Sequence, residues 1–258
     1  MYYIVQKNVF RDPRYDEIFH VLDSLNLPYE EVIFYPNSNE FFLETDRKDV
    51  FVYGSVKLAK VCADFDWNPG SFYGGNHEYE KYAKGFGEYI LNHGSFITQF
   101  SDSFSWEENQ KYFIKPSIDA KVFTGKVFTE SEWKDFTYET LNNNENTRIT
   151  AETLIQVSKY HKIIKEARVW IVNQKVVTSS YYLFHDQAGF EENVSNEGLD
   201  FAQKMAKIYN VADAYVMDVC ETFEGWKIVE VNCINSAGFY KGDVKKIILV
   251  LEEMYAEK

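Results

Sequence analysis

Residues 215–240 read YVMDVCETFEGWKIVEVNCINSAGFY, and this stretch decides the fold. Two β-rich apolar runs, Ala214 to Cys220 and Trp226 to Val231, flank Phe223-Glu224-Gly225, which reads as a hairpin turn. With a three-residue loop and glycine in the left-handed position, Asp218 stands opposite Glu230, and Asn232 follows on the same face. A two-residue loop would oppose Asp218 to Val231 and break the cluster. Facing carboxylates repel unless a cation lies between them, and two carboxylates with one amide oxygen suit Mg2+. The other reading is a polar, solvent-facing side of an edge hairpin. Val216, Cys220 and Ile228 on either side argue for burial, which unpaired carboxylates rarely tolerate.

Lys115 ends the apolar run YFIKP, Lys121 opens the alternating run KVFTGKVF, and Arg168 lies within KEARVWIV. Each alone reads as an ordinary edge charge; beside a magnesium cluster, together, they read as phosphate clamps. Nearer the start, Tyr2 to Val5 is a strand, and 13–25 has helical spacing with Asp12 as cap and Pro13 in first position. Val50 to Tyr53 is a strand running through Gly54-Ser55 into a helix over 56–63. Backbone N–H groups at that helix start could hold an anion, or the turn is a plain strand-to-helix connection. Within the N-terminal part, Gly54, Ser55 and Tyr73 are candidates for substrate contact. Further helices are expected over 82–91, 131–141, 196–209 and 243–255, and a strand over 154–157. A hairpin joins 166–172 to 175–182 around Asn173-Gln174.

Composition limits the function classes. Of 258 residues, 45% are apolar and 26% charged, which excludes disorder over the whole length. The net charge of −13 disfavours nucleic acid and anionic membranes as partners. Cys62, Cys220 and Cys233 form no C-x-x-C pair, and an odd count suits a reducing cytoplasm. Cys233 reads as a packing residue. The first residues carry no secretory pattern, and no apolar run reaches the length of a membrane span. No phosphate loop, kinase signature, G-x-S-x-G elbow or second zincin histidine is present, and Gly85-Phe86-Gly87 lies inside helical text.

Strand lysines, a strand with E-x-R, then D…E-x-N on a terminal hairpin resemble the ATP-grasp proteins. FIKPSIDAKVFTG, KEARVWIVNQKVV and VEVNCINSAGFY look like the ATP-grasp clade named for one conserved arginine and two lysines, and the VYGS segment resembles that clade's N-terminal region. Many ATP-grasp sequences carry proline soon after the metal-binding asparagine; this chain has Cys233-Ile234-Asn235 there. The resemblance implies an α+β chain: two α+β lobes clasping ATP (106–258), preceded by a small α/β pre-ATP-grasp domain (1–105). It implies an ATP- and Mg2+-dependent ligase that activates a carboxylate as an acyl phosphate for attack by an amine or thiol. A non-catalytic ATP-binding protein and a phosphotransferase are the alternatives. The substrate is a small molecule or peptide.

Carried over residue by residue, Lys115 and Lys121 contact phosphates, and Lys121 and Arg168 act in catalysis. Gln156, Val157, Ser158 and Lys159 form the adenine hinge, with Glu166 also on the nucleotide. Asp218, Glu230 and Asn232 hold Mg2+. Asn235, Ser236 and Gly238 line the acceptor side, and 116–125 is the candidate lid. Asp218→Ala or Glu230→Ala is expected to abolish ADP release and to leave the fold intact.

Overall fold

The computed structural model describes residues 1–9, 14–35, 40–43, 45–117, 123–143, 148–185 and 187–255. The elements begin β1 (Tyr2–Gln6), α1 (Glu17–Ser24), β2 (Tyr29–Val32), β3 (Val50–Tyr53), α2 (Val56–Cys62), α3 (Tyr79–Phe86) and β4 (Phe96–Gln99). They continue β5 (Tyr112–Pro116), β6 (Lys126–Phe128), α4 (Glu130–Asn142), β7 (Leu154–Lys159), β8 (Ile163–Val172) and β9 (Lys175–Phe184). The last are β10 (Gln187–Glu191), α5 (Asn196–Ile208), β11 (Ala214–Thr222), β12 (Gly225–Cys233) and α6 (Val244–Tyr255).

Packing forms two compact units, 1–90 with 163–258, and 91–162. This differs from the expected division at 105. The reason is the core shared within the first unit, where Tyr3, Phe51 and Tyr53 of the N-terminal strands pack with Trp170, Val216 and the α6 residues Val244, Ile247 and Leu251.

The first unit holds two sheets. A three-stranded parallel sheet has the order β2-β1-β3. β3 is buried along its whole length, as expected for a strand covered on both faces. The second sheet is antiparallel, in the order β10-β9-β8-β11-β12. Asn173 and Gln174 join β8 to β9 with φ of 49° and 59°, the two positive values a tight hairpin turn requires. One face of this sheet packs beneath α5 and α3 through Ala167, Val169, Met217, Val219 and Ile228. The second unit is a four-stranded antiparallel sheet, β4-β7-β5-β6, with an aromatic core of Phe100, Phe128 and Trp133. Its helix α4 starts in a capping box between Thr129 and Glu132.

Three strands, β2, β4 and β10, escape the sequence reading. Each closes a sheet edge, and β4 and β10 are mostly exposed, so backbone pairing and not apolar patterning recruits them. The Asp12-Pro13 cap lies outside the described residues, and α1 begins at Glu17. α3 stops at Phe86, short of 91, because Gly87 turns to φ 56°. Gly85 lies flush on the Tyr209 ring, where a Cβ would clash. The glycine pair therefore serves packing and helix termination.

Candidate active site

The hairpin that decides the fold is built differently from expectation. Its loop has two residues, with Thr222 paired to Gly225, which takes a φ of 111°. Val219 pairs with Ile228, but Asp218 pairs with Glu230, so Val229 is an extra residue in β12. The bulge restores the opposition of Asp218 and Glu230 that a two-residue loop would otherwise destroy. It also sets the phase of the side chains. Ile228 and Val231 both enter the core under α5, whereas strict alternation from Ile228 would send Glu230 there. The extra residue turns Glu230 and Asn232 to the other face, beside Asp218.

That other face is divided along its strands. Trp170 and Val216 at one end belong to the core under α6. Two residues further along, Arg168 and Asp218 replace them as cross-strand partners. Arg168 is 9% exposed and Asp218 1%. The guanidinium grips the carboxylate twice, Nε to Oδ1 at 2.9 Å and Nη2 to Oδ2 at 2.8 Å. Nη1 donates to the Gly238 carbonyl at 3.4 Å. Of five N–H donors, two remain for an anion. Asn232 Nδ2 lies between the two carboxylates, 3.3 Å from Asp218 Oδ2 and 3.0 Å from Glu230 Oε1.

Electrostatics explains the pairing. Burial alone would lower the Arg168 pKa, but the Asp218 carboxylate outweighs it and holds the guanidinium charged. Burial pushes the Asp218 carboxyl above its ordinary range; Arg168 pulls it back, and Glu230 adds to the rise. Because a guanidinium does not lose its proton in proteins, the two-pronged contact is an ion pair. The Arg168 cation also lies over the Tyr240 ring, 4.9 Å from its centroid. Cys233 is unsuited to be a nucleophile: burial pushes its thiol up to about 12.

Residues 72–251 match the model of an ATP-grasp domain family, the third of the clade named for one arginine and two lysines. The chain belongs to this family. Solved ATP-grasp structures resemble it over almost their whole length. The D-alanine–D-alanine ligase of Bacillus anthracis complexed with ATP is 13% identical, with 100% of this chain and 98% of that chain covered at a TM-score of 0.65. D-cycloserine synthetase DcsG is 9% identical, covered 98% and 99%, at a TM-score of 0.65. The ligase PsnB, complexed with minimal precursor, Mg and ADP, is 11% identical, covered 99% and 98%, at a TM-score of 0.60. At such identities the shared property is the fold. No curated protein matches the sequence.

ATP-grasp proteins use ATP, and the donor set here fits a magnesium ion. Asp218 and Glu230 bring carboxylate oxygens together around the Asn232 amide nitrogen, where a hard cation would sit; with the amide turned over, Asn232 would add its oxygen. Among the described residues no group of three or more His, Cys, Asp or Glu could hold a metal. The amide and non-protein oxygens would therefore complete the shell, which is usual for Mg2+ with a nucleotide.

The second unit of this ATP-grasp protein carries the remaining nucleotide candidates. Lys121 lies outside the described residues, as does most of the expected lid. Lys115 is the cross-strand partner of Gln156. The Gln156 side chain is buried and donates to Ser95 Oγ at 2.7 Å. Gln156 and Val157 are paired on both sides, by β4 and β5, so their backbone is committed to the sheet. Ser158 and Lys159 run past the end of β4 and pair with β5 alone. Ser158 Oγ is buried with no hydrogen-bond partner, and Lys159 pairs with Glu107 at 2.7 Å.

Other candidates are occupied by the fold. Ser55 caps α2 by accepting from the Leu58 N–H, and its hydroxyl donates to Gln6 Oε1 at 2.8 Å. A Cβ at Gly54 would lie 2.6 Å from Gln6 Cβ. The turn is thus a closed strand-to-helix connection. Asn235 is fully buried; its Nδ2 donates to the carbonyls of Val52 (2.6 Å) and Gly70 (3.1 Å), and its Oδ1 accepts from Phe72 N–H at 2.8 Å. It clamps the loop and has no surface to offer an acceptor. Ser236 lies 3.5 Å from the Cys233 carbonyl, and Tyr73 is exposed. Two residues on the polar face went unread in the sequence, Tyr182 and Tyr240. Tyr182 donates to Glu166 Oε2 at 2.5 Å and stacks on Tyr240. Tyr182 stands at a bulge in β9, which alternation does not reveal, and Tyr240 lies in the loop after β12, which carries no strand pattern.

Proposed function

We propose that this protein is an ATP- and Mg2+-dependent ligase. ATP would phosphorylate a carboxylate substrate, releasing ADP; an amine or thiol would then displace phosphate and lose its proton. The observation that carries this reading is the buried Arg168, held by Asp218 beside Glu230 and Asn232, in a chain of the ATP-grasp family.

Each residue has a part. Glu230, Asn232 and Asp218 would hold Mg2+, which when bound neutralises phosphate charge. Arg168 presents its two remaining N–H groups to a phosphoryl or acyl-phosphate oxygen. It is aimed by Asp218 and by the Gly238 carbonyl, so little reorganisation is needed when charge develops. Glu166, Lys115, Lys121, Ser158 and Lys159 are assigned to the nucleotide, and the segment from Ser236 to Tyr240 to the acceptor side. A peptide or a small molecule would serve as substrate. The buried thiols of Cys62, Cys220 and Cys233 and the net charge of −13 support a cytoplasmic protein that does not bind nucleic acid. No helix among the described residues is long and apolar enough to cross a membrane.

The test is ADP release from Mg-ATP against a panel of carboxylates paired with amines and thiols, with products weighed by mass spectrometry. A condensation product, an amide or thioester, supports the ligase. A phosphorylated hydroxyl would show a phosphotransferase, and nucleotide binding with no ADP release across the panel would show a non-catalytic module.

A further inference from the structure

We propose that Tyr182 is a positioning residue of the nucleotide site: its hydroxyl fixes the Glu166 carboxylate, and its ring backs Arg168. This rests on the assignment of Glu166 and Arg168 to bound ATP.

The backbone supplies the first argument. Glu166 pairs with Leu183 and Ala167 with Tyr181, so Tyr182 is an extra residue in β9 without a partner across the strand. A bulge disrupts the ladder locally and re-aims the side chain it carries. Tyr181 enters the apolar core under α5, while Tyr182 meets the polar face.

The contacts supply the second. The Tyr182 hydroxyl donates to Glu166 Oε2 at 2.5 Å, a short, charge-assisted bond. Its ring stacks on Tyr240 at 5.1 Å and 25°, and Phe190 stacks on Tyr240 at 5.4 Å and 20°. The Arg168 guanidinium lies 5.9 Å from the Tyr182 centroid. Tyr182 thus touches both the carboxylate and the cation assigned to the nucleotide, and Tyr240 in the loop after β12. Glu166 shares its strand face with Arg168 and lies one step from Asp218, a like charge. The Tyr182 hydroxyl is a fixed donor that helps to hold this flexible glutamate in one orientation.

The experiment measures Kd for Mg2+ with a non-hydrolysable ATP analogue by calorimetry. The proteins are wild type, Tyr182→Phe, Glu166→Gln and the double variant, with melting curves to show that each is folded. Tyr182→Phe keeps the stack and removes one hydrogen bond; it is expected to weaken binding about 5- to 10-fold. Glu166→Gln is expected to weaken binding similarly, and the double variant no further than Glu166→Gln alone, because the two side chains act through one contact. A lowered melting temperature with unchanged Kd in Tyr182→Phe would make the tyrosine merely structural and overturn the proposal. Effects that multiply in the double variant would overturn it too. Wild type that binds no nucleotide would instead overturn the ATP-site reading itself, and this proposal with it.

Discussion

At the end of β3, Gln6, Ser55 and Asn235 bury neutral polar groups, and each finds its complement in backbone or in one another. On the polar face of the five-stranded sheet, Arg168, Asp218, Glu230 and Glu166 bury or half-bury charge beside the amide of Asn232. The neutral network is closed: the Asn235 amide has its hydrogens and its oxygen all engaged. Among the described residues, the charged face brings the Arg168 guanidinium together with the carboxylates of Asp218, Glu230 and Glu166. A closed network is a sufficient account of a structural clamp. Carboxylates that face one another across a sheet are costly unless cations lie among them. The difference separates the polar residues that hold the loop from those that can hold a ligand.

Substitutions can break this contrast. The largest effect is expected from Asp218→Ala, which strands the Arg168 guanidinium in the interior. Removing one partner of a buried pair costs about 3–5 kcal/mol, so denaturant unfolding should show a markedly less stable protein. This revises the expectation that the variant keeps its fold intact, and it makes Asp218→Ala a poor test of chemistry. Asn235→Ala removes the side-chain partner of the Val52 carbonyl and the Phe72 N–H, at about 1–3 kcal/mol for each group left buried and unsatisfied, while the Gly70 carbonyl keeps the Val52 N–H. Its affinity for nucleotide is expected to stay at the wild-type value; weakened binding in a folded variant would erase the contrast. Ser55→Ala removes a helix cap, about 1 kcal/mol, again with nucleotide affinity unchanged. A loss of affinity there would return the turn to the list of anion sites.

Much of this was legible in the sequence. The opposition of Asp218 and Glu230, with Asn232 on the same face, was read from strand period and is present in the hairpin. Its route was not legible: a two-residue loop and a bulge at Val229 produce the register attributed to a three-residue loop. Bulges leave no mark in an alternating pattern, and for the same reason Tyr182 was missed on β9. The partnership of Arg168 with Asp218 joins residues fifty positions apart and depends on which strands neighbour, which local text does not state. Asn235 read as an acceptor-side residue because it follows the metal strand; only packing shows that both ends of its amide are committed. Edge strands β4 and β10 were silent because they bury little.

The central claim is that Glu230 and Asn232, beside the Arg168–Asp218 pair, form a magnesium–nucleotide site. Glu230→Gln isolates it. The change keeps the shape and relieves repulsion with Asp218, so the melting temperature without ligand is expected to be retained. Calorimetric titration of wild type and Glu230→Gln with a non-hydrolysable ATP analogue, with and without Mg2+, is the most direct measurement. The expected result is tight binding by wild type that requires Mg2+, and a loss of at least tenfold in Glu230→Gln while its melting temperature without ligand is retained. Equal, metal-independent affinity in the two proteins would contradict the claim.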